Sequence, residues 1–559
     1  VNGVAETSHL LSWIIFAPLL TGTVLLLVDA FATAMGGEGL PEQAWRGIGF
    51  SGTVVSFLLT VLLWAGHDPT RTGMQFVEHA EWLPQWGIHW FVGIDGISLL
   101  LIGLTTFLVP IVLLASWTDV TRSLKSWVFF MLFLETSMVG AFAALNLFLF
   151  YVFWELMLVP MAFVIGIWGG PRRVYAAVKF FLFTMAGSLF MLVALVVVVW
   201  LHHQQFGMWN MDLVAVPGSH APPILDTLIP TGNAPWWHTQ TWLFVAFALG
   251  FGVKVPMVPL HTWLPDAHTE APTGGSVILA GILLKMGTYG FVRFALPLFP
   301  VASLELGPWM MGLAVAGILY GALVAMVQSD VKRLVAYSSV AHLGFVMLGL
   351  FALNMEGLEG GVLQMVNHGL STGALFLLVG MIYERRHTRE ISEFGGIARP
   401  MPIYAALFGL VAMSSIGLPM LNGFVGEFLI LLGSFRSSPG MAVAATFGVV
   451  LAAIYMLWMV RRMFFGPVGN PANRGLIDLS WRERIVVGLI VVPIVWIGVH
   501  PSTFLKRLHT PALELLQVME TRAAATEGRD APSVQRLSAV LPSSAALPGE
   551  QLVRSEERP

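Results

Sequence analysis

The chain has 559 residues, of which 56% are hydrophobic and 11% charged, and its mean hydropathy is +0.78. So much apolar surface cannot be hidden in one water-soluble core, and the composition is that of a polytopic membrane protein. A formal net charge of −3 gives no basic field for nucleic acid, and the lack of cysteine excludes disulfides and thiolate-held iron–sulfur clusters on this chain.

A bilayer core is crossed by roughly 20 apolar residues, and runs of that length predict an all-α fold of about fourteen transmembrane helices. In chain order they cover 10–29, 48–66, 91–117, 126–144, 147–168, 175–201 and 242–264, then 276–298, 308–327, 334–353, 361–383, 403–432, 442–465 and 485–500. The first run lacks a basic leader and a small-residue cleavage site, so it reads as a helix and not as a signal peptide. Arg122, Lys125, Arg172, Arg173, Lys332, Arg333, Arg385, Arg386, Arg389, Arg399, Arg461 and Arg462 fall in odd-numbered connections, and even-numbered ones hold chiefly Arg71 and Arg436. By the positive-inside rule both termini are expected outside the cytoplasm. In the tail, residues 511–525 suit an amphipathic helix, and the stretch from Ser533 is rich in Ser, Pro and charge and is expected to be disordered.

Two predicted helices are interrupted. The seventh carries Gly252, Pro256 and Pro259 around Lys254, and the twelfth carries Gly417, Pro419, Asn422 and Gly423 before Glu427. Broken helices at corresponding places in two halves point to a transporter of inverted repeats, because they free backbone groups to meet ions or water at midplane. The expected repeats are predicted helices four to eight and nine to thirteen. The chain then divides into 1–120, a first repeat at 121–300, a second at 301–466, a last helix within 467–503 and a tail at 504–559. Pro and Gly as ordinary kinks are the competing reading.

Three of the six lysines, Lys179, Lys254 and Lys285, lie inside apolar segments, together with Glu135, Glu155, His342, His368 and Glu427. A charge at the bilayer centre costs about 2.5–3.5 kcal/mol on insertion scales, so such residues face the protein interior and mark ion or proton pathways. A carboxylate moving toward or away from a buried lysine switches that lysine between holding and releasing a proton. Histidine, with an unperturbed pKa near 6.5, exchanges protons with neighbours of either character, and ordered water is needed over longer gaps. Lys179 lies about one turn inside its span and suits an interfacial, snorkelling role. His261, Asp266, His268 and Glu270 straddle prolines without the spacing of a helical two-histidine zinc motif, so capping and packing are expected there and no metal. No nucleophile motif, phosphate loop or dinucleotide fingerprint appears.

Several strings resemble the antiporter-like subunits of respiratory complex I. They are Phe153-Trp154-Glu155-Leu156-Met157-Leu158-Val159-Pro160, Lys254-Val255-Pro256 with His261-Thr262-Trp263-Leu264-Pro265-Asp266-Ala267-His268, and Leu284-Lys285-Met286-Gly287. Asp330-Val331-Lys332-Arg333-Leu334 with Ser338-Ser339-Val340-Ala341-His342, then Asn367-His368-Gly369 and Phe424-Val425-Gly426-Glu427-Phe428, follow in the same order. The resemblance spans about 95–462. A glutamate, not a lysine, on the broken twelfth helix is similar to the chain M, or subunit 4, branch.

The resemblance implies proton translocation driven by quinone reduction on other subunits. Glu155 and Lys254 match the charged pair at the input side, Lys285 the central relay lysine, and His342 and His368 the histidines between the halves. Glu427 matches the terminal carboxylate toward the outer exit, and Glu135 a secondary one. Asn146 stands where relatives carry an acidic residue, which removes a proton-uptake role from that position. No cofactor is expected on this chain; FMN, iron–sulfur clusters and quinone belong to partners. The expected surroundings are other membrane-arm subunits, above all neighbouring antiporter-like ones, with lipid, protons and internal water. The excess of Arg over Lys loosely fits a GC-rich bacterial gene, and the expected location is a bacterial plasma membrane. An Mrp-type cation/proton antiporter subunit and a purely structural membrane subunit are the alternatives.

Overall fold

Eleven helices are long and apolar enough to cross a membrane in the computed structural model, which describes residues 9–231, 238–528 and 531–539. A twelfth is reached if Trp481–Val499 and Ser502–Glu527, bent by 70° at their junction, count as one span. In order, α1 is Leu10–Ala34, α2 Glu42–Gly66, α3 Gly96–Ala115, α4 Leu124–Ala143, α5 Leu147–Trp168 and α6 Arg173–Phe206. Next come α7 (Thr239–Lys254), α8 (Trp263–Glu270), α9 (Thr273–Leu298), α10 (Pro300–Met326), α11 (Val331–Phe351) and α12 (Met355–Arg386). Then follow α13 (Pro402–Ser415), α14 (Asn422–Ser437), α15 (Pro439–Phe464), α16 (Trp481–Val499), α17 (Ser502–Glu527) and α18 (Pro532–Ser538).

The sequence-based count of fourteen exceeds eleven because it includes α16 and the two interrupted segments. α7 has 16 residues, and α13 and α14 have 14 and 16, so none is a full span by itself. α7 stops at Lys254, just before Pro256, and helix resumes only at Trp263. α13 stops at Ser415 and helix resumes at Asn422, with Gly417 at φ +76°. A Cβ at Gly417 would lie 2.9 Å from Glu427 Oε2, so glycine serves both the left-handed turn and the close approach of the carboxylate.

Three expectations are corrected. The fold is all-helical apart from one antiparallel hairpin, β1 (Gln75–Leu83) with β2 (Ile88–Ile94), around Gly87 at φ +66°. Residues 91–94, expected to begin the third helix, therefore belong to a strand, and α3 begins at Gly96 behind Asp95, whose carboxylate accepts from Ser98 N at 2.9 Å. The tail helix is longer than 511–525, because Leu508, Leu515, Leu516 and Met519 of α17 are buried and draw the whole segment onto the bundle. Helix α18 also occupies part of the stretch expected to be disordered, with Val534 and Leu537 buried; residues 540–559 lie outside the described ones.

The centre of the bundle is α9, buried along its length. Gly287 and Gly290 let it touch α7: a Cβ at Gly287 would lie 2.6 Å from Val255 Cγ2 and 2.7 Å from Phe251 O. Two π-turns, Leu279–Leu283 and Phe291–Ala295, flank the α-helical turns that carry Lys285. Such insertions displace backbone carbonyls from the i→i−4 ladder and leave them for side chains. α5 is broken at Met157, consistent with Pro160, which has no N–H and crowds the carbonyl four residues before it.

Candidate functional site

Lys285 Nζ takes up the Ala280 carbonyl in the first π-turn of α9, five residues back along the chain. It also meets His368 Nδ1 on α12 at 2.6 Å. An ammonium there donates, so His368 accepts at Nδ1 and carries its proton on Nε2; if Lys285 is neutral, the imidazole can hold the proton. The His368 and His342 rings lie 5.9 Å apart between centroids. His342, on α11, bonds through Nδ1 to Glu427 Oε1 at 3.0 Å and through Nε2 to the Ser415 hydroxyl at 3.3 Å. Gln364 Nε2 donates to Glu427 Oε1 at 3.2 Å. Lys285, His368, His342 and Glu427 thus form one buried string from α9 to α14.

The string is held at the break between α13 and α14. Asn367 Nδ2 donates to Gln364 Oε1 at 3.1 Å and to the Asn422 carbonyl at 2.8 Å, and the Ser371 and Ser414 hydroxyls meet at 2.7 Å. Gln364, Asn367, Ser371, Ser414 and the two histidines line a cavity of about 10 Å³, space on the order of one water. His368 Nε2 is buried without a protein partner, which leaves a titratable atom for such a water.

A second group sits where α5 breaks. Lys254 Nζ lies 4.0 Å from the centroid of the Trp154 ring and donates to Trp154 O at 3.4 Å, with Met157 Sδ at 3.6 Å. Glu155 acts on it through its field and keeps Oε1 buried without a hydrogen bond. The aromatic face and the kink carbonyl therefore hold the ammonium beside, and not on, the carboxylate. Glu135 stands apart from both groups. It is fully buried on α4, and neither oxygen has a hydrogen-bond partner; Ser56 faces it but gives its hydroxyl to Ile14 O at 3.0 Å.

Lys179 pairs with Asp266 at 2.7 Å, a tie between α6 and α8. Glu270 holds the turn before α6, with Oε2 accepting from Arg172 N at 2.9 Å, and His261 packs against Tyr320. His268 is buried, stacked on Phe376 with ring centroids 4.6 Å apart, within the fields of Lys285 and Lys332. These four residues, 261 to 270, serve different neighbours and do not converge on a metal. Asn146 caps α5, accepting from Phe148 N at 3.2 Å and Leu149 N at 3.3 Å.

A model of the family described as "NADH:quinone oxidoreductase/Mrp antiporter, TM" matches residues 144–454. NADH-quinone oxidoreductase subunit M of Rhodobacter capsulatus is 44% identical over 526 residues, covering 93% of this chain and 99% of that protein. The chain belongs to the NADH:quinone oxidoreductase/Mrp antiporter family. Among solved structures, a chain of respiratory complex I from Thermus thermophilus with bound NADH superposes with a TM-score of 0.79 at 34% identity, covering 91% of this chain and 99% of that one. A chain of the Mrp complex from Dietzia sp. DQ12-45-1b gives a TM-score of 0.75 at 20% identity, covering 96% and 100%, which speaks to the fold alone.

Sequence reasoning missed several polar groups of this family member. Arg293, two turns beyond Lys285 on α9, pairs with Asp95 at 2.6 Å and donates from Nε to Tyr289 Oη at 3.1 Å. Tyr289 donates to Phe142 O at 2.8 Å. Asp95 and Arg293 border a cavity of 890 Å³ that Glu514 and Arg522 of α17 also line. Lys332, at the start of α11, donates to the Ala271 carbonyl at 2.5 Å. The available signal was the i, i+4, i+8 spacing of Lys285, Tyr289 and Arg293, which puts all three on one face of α9; His268 and Lys332 were visible as residues but were read as turn and loop groups.

Proposed function

We propose that this chain is a proton-translocating membrane-arm subunit of an NADH:quinone oxidoreductase, coupled to quinone reduction carried out on other subunits. Near-full-length identity to a subunit M supports the assignment to such a complex, and the distant likeness to the Mrp structure makes an antiporter of that type the weaker reading. The observation that carries the mechanism is the buried string Lys285–His368–His342–Glu427, whose neighbours touch or are one water apart.

In this reading, Glu155 and Lys254 form the input pair. Approach of the Glu155 carboxylate favours the charged lysine, and its withdrawal leaves Lys254 buried beside Trp154 and ready to release a proton. Water carries the proton to Lys285, which hands it to His368 across the 2.6 Å contact. His342 passes it to Glu427 at the break between α13 and α14, toward the outer side. Glu135 is a secondary carboxylate of the first half.

The two interrupted segments and α16, added to the eleven full spans, give fourteen crossings, ten of them in two inverted five-helix repeats. Both termini face outside a bacterial plasma membrane. FMN, the iron–sulfur clusters and the quinone site lie on partner chains.

The test is Glu155→Gln in membranes where assembly of the complex has been verified, with NADH-driven quinone reduction and proton pumping both measured. Loss of both, or of pumping alone, is expected. Wild-type turnover and pumping would remove Glu155 from the coupling path and favour a structural role.

A further inference from the structure

Away from the relay, two histidines and an aspartate from distant parts of the chain converge on one point. His79 on β1 is paired with Phe91, and His89 on β2 with Glu81, so the two histidines are diagonal neighbours on one face of the hairpin. Their rings lie 4.9 Å apart between centroids. Asp212, from the connection after α6, reaches the same face. Its Oδ2 accepts from His89 Nδ1 at 2.7 Å and lies 3.9 Å from His79 Nε2. One ligand atom from each residue falls within 4.8 Å of the others, the one such group among the described residues.

We propose that His79, His89 and Asp212 form a binding site for a zinc-class divalent cation, which fastens the hairpin to the start of α5. Two imidazole nitrogens and one carboxylate oxygen are the donors that suit Zn²⁺, leaving a fourth position for water. Bonds of about 2.0–2.1 Å in a tetrahedral site put ligand atoms roughly 3.3 Å apart. The 2.7 Å contact must open and the 3.9 Å contact close, each by about half an ångström, and the two histidine nitrogens, which lie within 4.8 Å of each other, must draw together as His79 turns in. Side-chain rotations of that size are open to His79, whose side chain is 27% exposed and stands at the surface.

The aspartate is held as a ligand needs to be. Asn146 Nδ2 donates to Asp212 Oδ1 at 2.8 Å, leaving Oδ2 to the histidines. Asp212 N donates to Asn210 Oδ1 at 3.0 Å, and its carbonyl accepts from Ile224 N at 2.8 Å. An outer partner of this kind fixes the ligating oxygen. The same Asn146 caps α5, the helix of Glu155, so an ion at this site stiffens the connection between the hairpin and that helix. The bare alternative is a hydrogen-bonded His–Asp clasp that binds no metal. The expectation from sequence that the chain holds no metal rested on residues 261–270 and did not consider these three, which lie 10 and 123 residues apart in the chain.

The test is a Zn²⁺ titration of the purified full-length chain in detergent against a chromophoric chelator, beside His89→Gln and His79→Gln. One ion per wild-type chain is expected, with nitrogen and oxygen ligands by X-ray absorption. Each variant should lose affinity by more than the 10- to 100-fold that removal of an outer-shell partner costs. If His89→Gln misfolds by circular dichroism, His79→Gln decides alone, since that side chain lies at the surface. Equal binding by wild type and variant, or no binding by folded wild type, overturns the proposal. Neither readout involves NADH, quinone or pumping, so the result is independent of the function proposed above.

Discussion

At the scale of single residues, Lys285 separates a charge that moves protons from one that only holds helices together. Its ammonium satisfies the Ala280 carbonyl and His368 Nδ1, so Lys285→Met leaves two buried polar groups unpaired, at about 1–3 kcal/mol each. Loss of assembly in that variant would be uninformative by itself. Lys285→Arg is the sharper probe. Guanidinium keeps the charge and the donors, yet it does not deprotonate in proteins. The expected outcome is a complex of normal abundance whose proton transfer through this subunit falls on the order of 10²-fold or more. Dye-quench pumping assays on inverted vesicles check it; recovery of pumping by arginine would reduce Lys285 to a structural charge. Residue type at membrane depth was enough to single out Lys254, Lys285, His342, His368 and Glu427 in the sequence. What it could not supply was contact: Trp154 and the kink at Met157 hold the Lys254 ammonium on an aromatic face, with Glu155 beside it.

At the scale of elements, the start of α5 depends on one side chain. Asn146 accepts from two free N–H groups of the first turn and donates to both Gly87 O, at 3.2 Å, and Asp212 Oδ1. Asn146→Ala removes the cap, worth about 1 kcal/mol, and strips a buried carboxylate of one donor, worth about 1–3 kcal/mol more. A lower thermal inactivation temperature of the purified complex is expected, with turnover per intact complex at lower temperature changed far less; unchanged inactivation would show that the hairpin and connection hold α5 without it. The hairpin itself was illegible in the sequence. Residues 91–94 run straight into the apolar α3, and a hydropathy count joins them, whereas the strand partner at 75–83 is short, is interrupted by Glu78, His79 and Glu81, and carries no membrane signal. The two broken segments were legible because Pro and Gly interrupt an otherwise apolar run. The length of α17 was hidden for the opposite reason, since its apolar face is spread among charges and declares itself only against the bundle.

At the scale of the whole molecule, α17 closes one end of the protein across elements far apart in sequence. Arg522 is buried and donates to Thr227 O at 3.0 Å and Leu298 O at 3.2 Å. Glu514 accepts from Gly73 N at 2.7 Å, Thr510 donates to Pro69 O at 2.7 Å, and Arg507 lies 4.0 Å above the Trp64 ring. These contacts tie the connections after α2 and α6 and the end of α9 to a single helix, which lines the 890 Å³ cavity beside Arg293 and Asp95. None of them touches the string from Lys285 to Glu427. Truncation after residue 500 is therefore expected to act on assembly and not on the relay. It bares the buried face of α17's partners and leaves the Asp95–Arg293 pair open to water, so the abundance of complex on a native gel should fall severalfold. Turnover and pumping per assembled complex should remain near wild type, the reverse of the pattern expected for Glu155→Gln and Lys285→Arg. A truncated complex at full abundance that does not pump would place the C-terminal helix in the proton path, and the cavity it lines would then be the route to examine.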